Sequence, residues 1–215
     1  MDILLTSIDH PLHDAWSRFC GDVPGVSVHH GSILDVACDA VVSPANSFGF
    51  MDGGVDLLYL KRFGPVIQER VQRAMLDHHG GELLVGSAVV VETGDAEIPF
   101  LIAAPTMRVP MILPPESTAA YLAARAVFLL VQRGKFLDGA LAGQPLSDHV
   151  KTVAFPGLAT GVGRMGPATC AHQVRSAIDD VVLSKYEMPR TWAEASERHQ
   201  LLYTTKLRRL QHERA

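Results

Sequence analysis

Two copies of one local pattern limit this chain to a narrow range of α/β folds: a short apolar strand, a glycine-bearing loop, then a helix. The first copy is Val41 to Asp56, VVSPANSFGFMDGGVD, in which the strand ends at Pro44-Ala45-Asn46 and the loop reaches Gly53-Gly54-Val55-Asp56. The second begins with the strand Thr152 to Phe155 and runs through Pro156-Gly157-Leu158-Ala159-Thr160-Gly161-Val162-Gly163-Arg164-Met165-Gly166. Pro167 then stands where a first helical residue is favoured, and Ala168 to Leu183 carry apolar residues at helical spacing. Small residues at a strand's C-terminal end let backbone N–H groups approach an anion, and the following helix N-terminus adds partial positive charge. Two such loops in one domain can grip a diphosphate from both sides. Turns also recruit glycine for positive φ, so each loop alone carries less weight than the pair. Asn46 and Asp56 put an amide and a carboxylate at opposite ends of the first loop.

The rest of the chain extends the alternation. Strands are predicted at Ile3–Ile8, Val26–His30, Asp39–Ser43, Ser87–Glu92, Phe100–Ala104 and Thr152–Phe155. Helical patterns occupy Leu12–Cys20, Val55–Phe63, Val66–His79, Ser117–Phe136 and Ala168–Leu183. Strands interleaved with helices predict a three-layer α/β/α sandwich on a six-stranded mixed, mainly parallel sheet. Ligands of such sheets sit at the C-terminal strand ends, where both glycine loops fall. The proline-rich connection Pro105 to Pro115 is stiff and opens at the same end, so it is expected to wall the cleft. Residues 190–215, after Pro189, read as a terminal amphipathic helix whose basic residues form a solvated face.

Composition narrows the functional classes. The chain has 215 residues, 47% hydrophobic and 20% charged, enough for one domain with a normal core. A net charge of −4 argues against a broad nucleic-acid footprint, and no apolar run has membrane-spanning length. The N-terminus MDILLTSIDH lacks a signal-peptide layout, and the three widely spaced cysteines, Cys20, Cys38 and Cys170, form no Cys-x-x-Cys pair. Reduced, buried thiols in a cytoplasmic protein are the expectation. No cofactor or metal is expected. Adjacent histidines at 29–30 and 78–79 are poor chelates, and Asp9, His10 and His13 lack a tight zinc signature. Ser47 and Thr160 have no sequence-evident base, and no G-x-G-x-x-G opens the first helix as a Rossmann site would require.

On these residues the chain resembles a macrodomain, the ADP-ribose-binding (Appr-1-p processing-like) α/β module. DAVVSPANSFGFMDGGVD is similar to the family pattern D-A-[IV]-V-N-x-A-N followed by a glycine turn and G-V-D. VAFPGLATGVG is similar to [IV]-A-F-P-x-[IL]-[SG]-T-G. The resemblance covers residues 1–184 and leaves 185–215 as a C-terminal helical extension. It implies an ADP-ribose or ADP-ribosylated ligand, with Asn46 orienting the distal ribose and Asp56 the attacking water. It further implies ligand contacts from Ser32, Ile33, Ala45, Asn46, Gly53, Gly54, Val55, Ala159, Thr160, Gly161, Val162, Gly163 and Arg164.

The departures from that pattern are specific. Ser43 stands in place of the family's first Asn, Met51 and Asp52 replace two loop glycines, and Ser32 replaces the adenine-recognising Asp. Gly163 occupies the place of an aromatic that stacks on the distal ribose. Arg164 or Arg108 could then hold an additional phosphate. Three functions stay open: a hydrolase removing ADP-ribosyl groups, a non-catalytic ADP-ribose reader in which Asp56 is structural, and an ADP-ribose 1″-phosphate phosphatase. The oligomeric state is not legible in the sequence.

Overall fold

The computed structural model describes residues 1–208. Six strands form one sheet: β1 (Asp2–Ser7), β2 (Val26–His30), β3 (Ala40–Ser43), β4 (Val89–Glu92), β5 (Phe100–Ala103) and β6 (Thr152–Phe155). Their spatial order is β2-β1-β6-β3-β5-β4, with every pairing parallel except that of the edge strand β4 with β5. The helices are α1 (His10–Cys20), α2 (Gly54–Phe63), α3 (Val66–His79), α4 (Ala119–Arg133), α5 (Leu146–His149), α6 (Pro167–Ala177) and α7 (Trp192–Leu201).

Strand pleating divides the core into two layers. Side chains alternate between sheet faces with period two. Ala40 and Val42 of β3, Phe100 and Ile102 of β5, and Val153 and Phe155 of β6 therefore share one face with α1, α4 and α6. Val41, Leu101, Ala103 and Ala154 occupy the other face, with α2 and α3. Strands apolar on both sides need helices on both sides, which is the expected three-layer sandwich.

The sequence expectations hold for all six strands within a few residues of their ends, and Pro167 does open α6. Three elements differ. The expected Ala168–Leu183 helix widens after Ala177 into a π-turn at Ile178–Val182. The four-residue α5 is too short to leave a periodic signal. The terminal helix covers only Trp192–Leu201 of the expected 190–215: the chain turns at Leu202, and residues 209–215 lie outside the described residues. This segment packs on α6, with the His172 ring 2.9 Å from the Leu201 carbonyl and the Gln173 amide donating to the Leu202 carbonyl at 3.3 Å. No helix among the described residues is long and apolar enough to cross a membrane.

Candidate functional site

Because β1, β2, β3, β5 and β6 run parallel, the loops after them emerge at one sheet end, and there they enclose a cleft of about 660 Å³. Its wall runs from Gly31, Ser32 and Ile33 after β2, past Ile8 and Asp9 after β1, to the Pro156–Gly163 loop after β6. It continues through the loop after β3 to Thr106, Met107 and Pro110 after β5. Crossing from β2 to β5 covers four inter-strand spacings, about 19 Å. The two glycine loops therefore converge, and the proline-rich connection does wall the cleft.

The β3 loop is held by its own amide. Asn46 is only 9% exposed and bridges with Met107. Its side-chain oxygen accepts from the Phe48 and Phe50 backbone N–H groups at 3.1 and 3.3 Å, and its amide nitrogen donates to the Phe50 carbonyl at 2.8 Å. Gly49 takes φ +70°, and a side chain there would press into Val71 and Met75 of α3. This folding of the loop presents Phe50, 54% exposed, to the cleft.

Asp56 lies in the first turn of α2, 8% exposed, and still contributes to the cleft wall. The Ser43 hydroxyl at the end of β3 donates to its Oδ1 at 2.6 Å, and this is its sole protein partner among the described residues. Burial pushes its carboxyl up from the ordinary 3.8 to about 6, against the opposing Ser43 bond and helped by the charge of Asp52. A carboxylate with a proton affinity near neutrality, fixed on one oxygen and facing a cleft, is suited to accept a proton from water.

The β6 loop is tight. Ala159 sits at φ 61°, a left-handed conformation that strains a non-glycine residue and that Met165 N–H locks by donating to its carbonyl at 3.0 Å. A Cβ at Gly163 would lie 2.6 Å from the Ala159 carbonyl oxygen, so no aromatic fits this loop as folded.

Of the residues expected at the site, Ser32, Ile33, Ala45, Asn46, Gly53, Gly54, Val55, Asp56, Ala159, Thr160, Gly161, Val162 and Gly163 all line the cleft. Arg164, also expected there, is not among the residues lining the cleft. It takes φ 53° and borders a separate hollow of about 320 Å³ with Leu113, Pro114 and Tyr203. Arg108 is committed elsewhere too: its guanidinium makes two bonds to Glu82, at 2.6 and 3.2 Å, and lies over the Phe48 ring. Ser32 caps a 3-10 turn, its hydroxyl accepting from Leu34 N–H at 3.2 Å. Asp9, in the neighbouring loop, caps α1 and also lines the cleft. The His10 and His13 rings gather on His30, with centroids 4.3 and 5.1 Å away, and no group of three His, Cys, Asp or Glu among the described residues is placed to hold a metal ion. Sequence reading missed Phe50 and Asp9 as cleft residues and Ser43 as the partner of Asp56. An aromatic inside a glycine-bearing loop was the signal available for Phe50.

Comparison with known proteins agrees with this architecture. A protein of Aquifex aeolicus is 35% identical over 140 residues, covering 64% of this chain and 71% of the relative. A macro domain-containing protein of Streptomyces coelicolor is 29% identical over 161 residues, covering 75% and 85%. Among solved structures, the macrodomain of Mycobacterium tuberculosis DarG superposes with a TM-score of 0.56 at 20% identity, covering 71% of this chain and 88% of that one. A point mutant of the Oceanobacillus iheyensis macrodomain, solved with ADPR, gives 0.56 at 19% identity, covering 80% and 86%. The family model described as Macro domain matches residues 42–174, from the end of β3 into α6, and this chain belongs to that family.

Proposed function

We propose that the cleft binds ADP-ribose and that the chain hydrolyses ADP-ribosyl groups attached to proteins or small molecules. The observation that carries this reading is Asp56: buried, held by Ser43 at 2.6 Å, facing the cleft, and with its carboxyl pushed up to about 6. Backbone N–H groups of the β3 and β6 loops and the α2 N-terminus would receive the diphosphate. Asn46 would orient the distal ribose, keeping one amide hydrogen after its bond to Phe50. In the chemical step the water oxygen bonds to C1″ of the ribose as the bond from C1″ to the acceptor breaks. The bonding pair leaves on the acceptor, and the proton released by water goes to Asp56. The exposed Phe50 ring offers the stacking surface that Gly163 cannot.

The reader alternative is favoured by one observation, that Asn46 spends three hydrogen bonds on its own loop. The phosphatase reading loses support because Arg164 lies outside the cleft lining and Arg108 is paired with Glu82. Residues 1–184 would form the functional module, with the α7 segment bracing α6. Three free, buried cysteines support a cytoplasmic location. Release of ADP-ribose from an ADP-ribosylated substrate, measured for the wild type and for Asp56→Ala, tests the proposal. Turnover by the wild type should fall about a hundredfold or more in the variant, with ADP-ribose affinity little changed. ADP-ribose binding without any release would establish the reader instead.

A further inference from the structure

We propose that Asp52 selects the acceptor end of the ligand, making this cleft a site for ADP-ribosyl groups carried on a guanidinium rather than for those ending in a phosphate. The inference rests on the ADP-ribose reading of the cleft. Among the described residues, those lining it include Asp9, Asp52 and Asp56 and no Lys, Arg or His. The three carboxylates are divided along it. Asp9 follows β1 beside the Ser32 loop, whereas Asp52 lies in the loop after β3 and Asp56 in the first turn of α2 that follows it, separated by Gly53, Gly54 and Val55.

Asp52 is exposed at the cleft wall and has no hydrogen-bond or ion-pair partner among the described residues. It is near enough to Asp56 for its charge to raise that carboxyl. The arginines that could neutralise the pair are occupied or displaced, Arg108 by Glu82 and Arg164 by its place in the second hollow. An acceptor end bearing a phosphate would therefore meet two carboxylates with no cationic side chain in the lining to offset them. A guanidinium there meets the opposite field, and its planar fork of donors matches a carboxylate in two-point contact. For the diphosphate the same field would be offset by the backbone N–H groups of the two glycine loops and the α2 N-terminus, which the acceptor end lacks. The glycine that the family pattern has at Asp52 could make neither distinction.

The test is calorimetry on folded full-length Asp56→Asn protein, which blocks turnover, with and without Asp52→Asn. The ligands are ADP-ribosyl-agmatine (linked through its guanidinium), ADP-ribose and ADP-ribose 1″-phosphate. The agmatine conjugate should bind at least about tenfold tighter than the 1″-phosphate, and Asp52→Asn should shrink that ratio by roughly tenfold while ADP-ribose itself changes by less than about twofold. A ratio unaffected by Asp52→Asn, or tighter binding of the 1″-phosphate, overturns the inference and leaves ADP-ribose recognition standing. Failure of all three ligands to bind overturns the ADP-ribose reading and this inference with it.

Discussion

Asp56 should make the protein less stable than it could be, and replacing it with Asn should reveal by how much. Burial raises its carboxyl from 3.8 to about 6, a differential of about 3 kcal/mol between folded and unfolded states. Below pH 3.8 the group is protonated in both states and the penalty is absent. Between there and pH 6 the unfolded chain ionises while the folded one resists, so folding loses stability as pH rises, and the full penalty persists above that window. Asn keeps an oxygen for the Ser43 hydroxyl and removes the charge. At about pH 7.5 Asp56→Asn should therefore be more stable by about 3 kcal/mol, or roughly 6–12 °C in Tm for a chain of this length. Thermal unfolding of both proteins from about pH 3.5 to 8 checks this, with the curves meeting at the acid end and separating above about pH 6. The reasoning fails if the variant is equally stable or less stable at neutral pH, because Asp56 would then be a stabilising helix-end acid and not a desolvated carboxylate held for chemistry.

Other consequences follow from the same contacts. Turnover should rise with pH through a limb near 6 as Asp56 ionises, and Asp52→Asn should move the limb to lower pH by removing a like charge, both read from kcat against pH. Ser43→Ala deletes the bond that favours the ionised carboxylate, so the limb should move to higher pH, again seen in the kcat profile. Gly163→Phe, which restores the aromatic of the family pattern, should weaken ADP-ribose binding and cost about 1–3 kcal/mol of stability in denaturant titration, because its Cβ meets the Ala159 carbonyl. Phe50→Ala should lower ADP-ribose affinity by about tenfold in calorimetry with unchanged unfolding, given the loss of an exposed stacking ring.

How much of this was legible in the sequence depended on the range of the interaction. The central strands could be read because burial on both faces makes runs such as Val41-Val42 and Val153-Ala154-Phe155 continuously apolar. The cleft residues of the two glycine loops could be read because parallel strands bring their C-terminal ends together whatever lies between them. The Ser43–Asp56 bond could not, since it joins the end of β3 to the first turn of α2 and depends on how that helix docks. Nor could the fate of the arginines. Arg108 meets Glu82 because Ser47 of the β3 loop bonds both to the Arg108 carbonyl and to Leu83 N–H, and the left-handed backbone at Arg164 belongs to the folded loop. The terminal helix is shorter than its pattern predicts because the amphipathic pattern continues past Leu201, where Gln200 bonds instead to the backbone of Arg208 and folds the chain back.

Titration of ADP-ribose into the wild-type protein tests the central claim most directly, because every role assigned to the cleft presupposes that ligand. The account predicts saturable one-site binding with a micromolar Kd, about −8 kcal/mol, and a loss of that binding when Gly161, in the middle of the β6 loop, is replaced by a bulky residue such as Trp. The absence of heat or saturation with ADP-ribose, on protein shown to be folded, would contradict it.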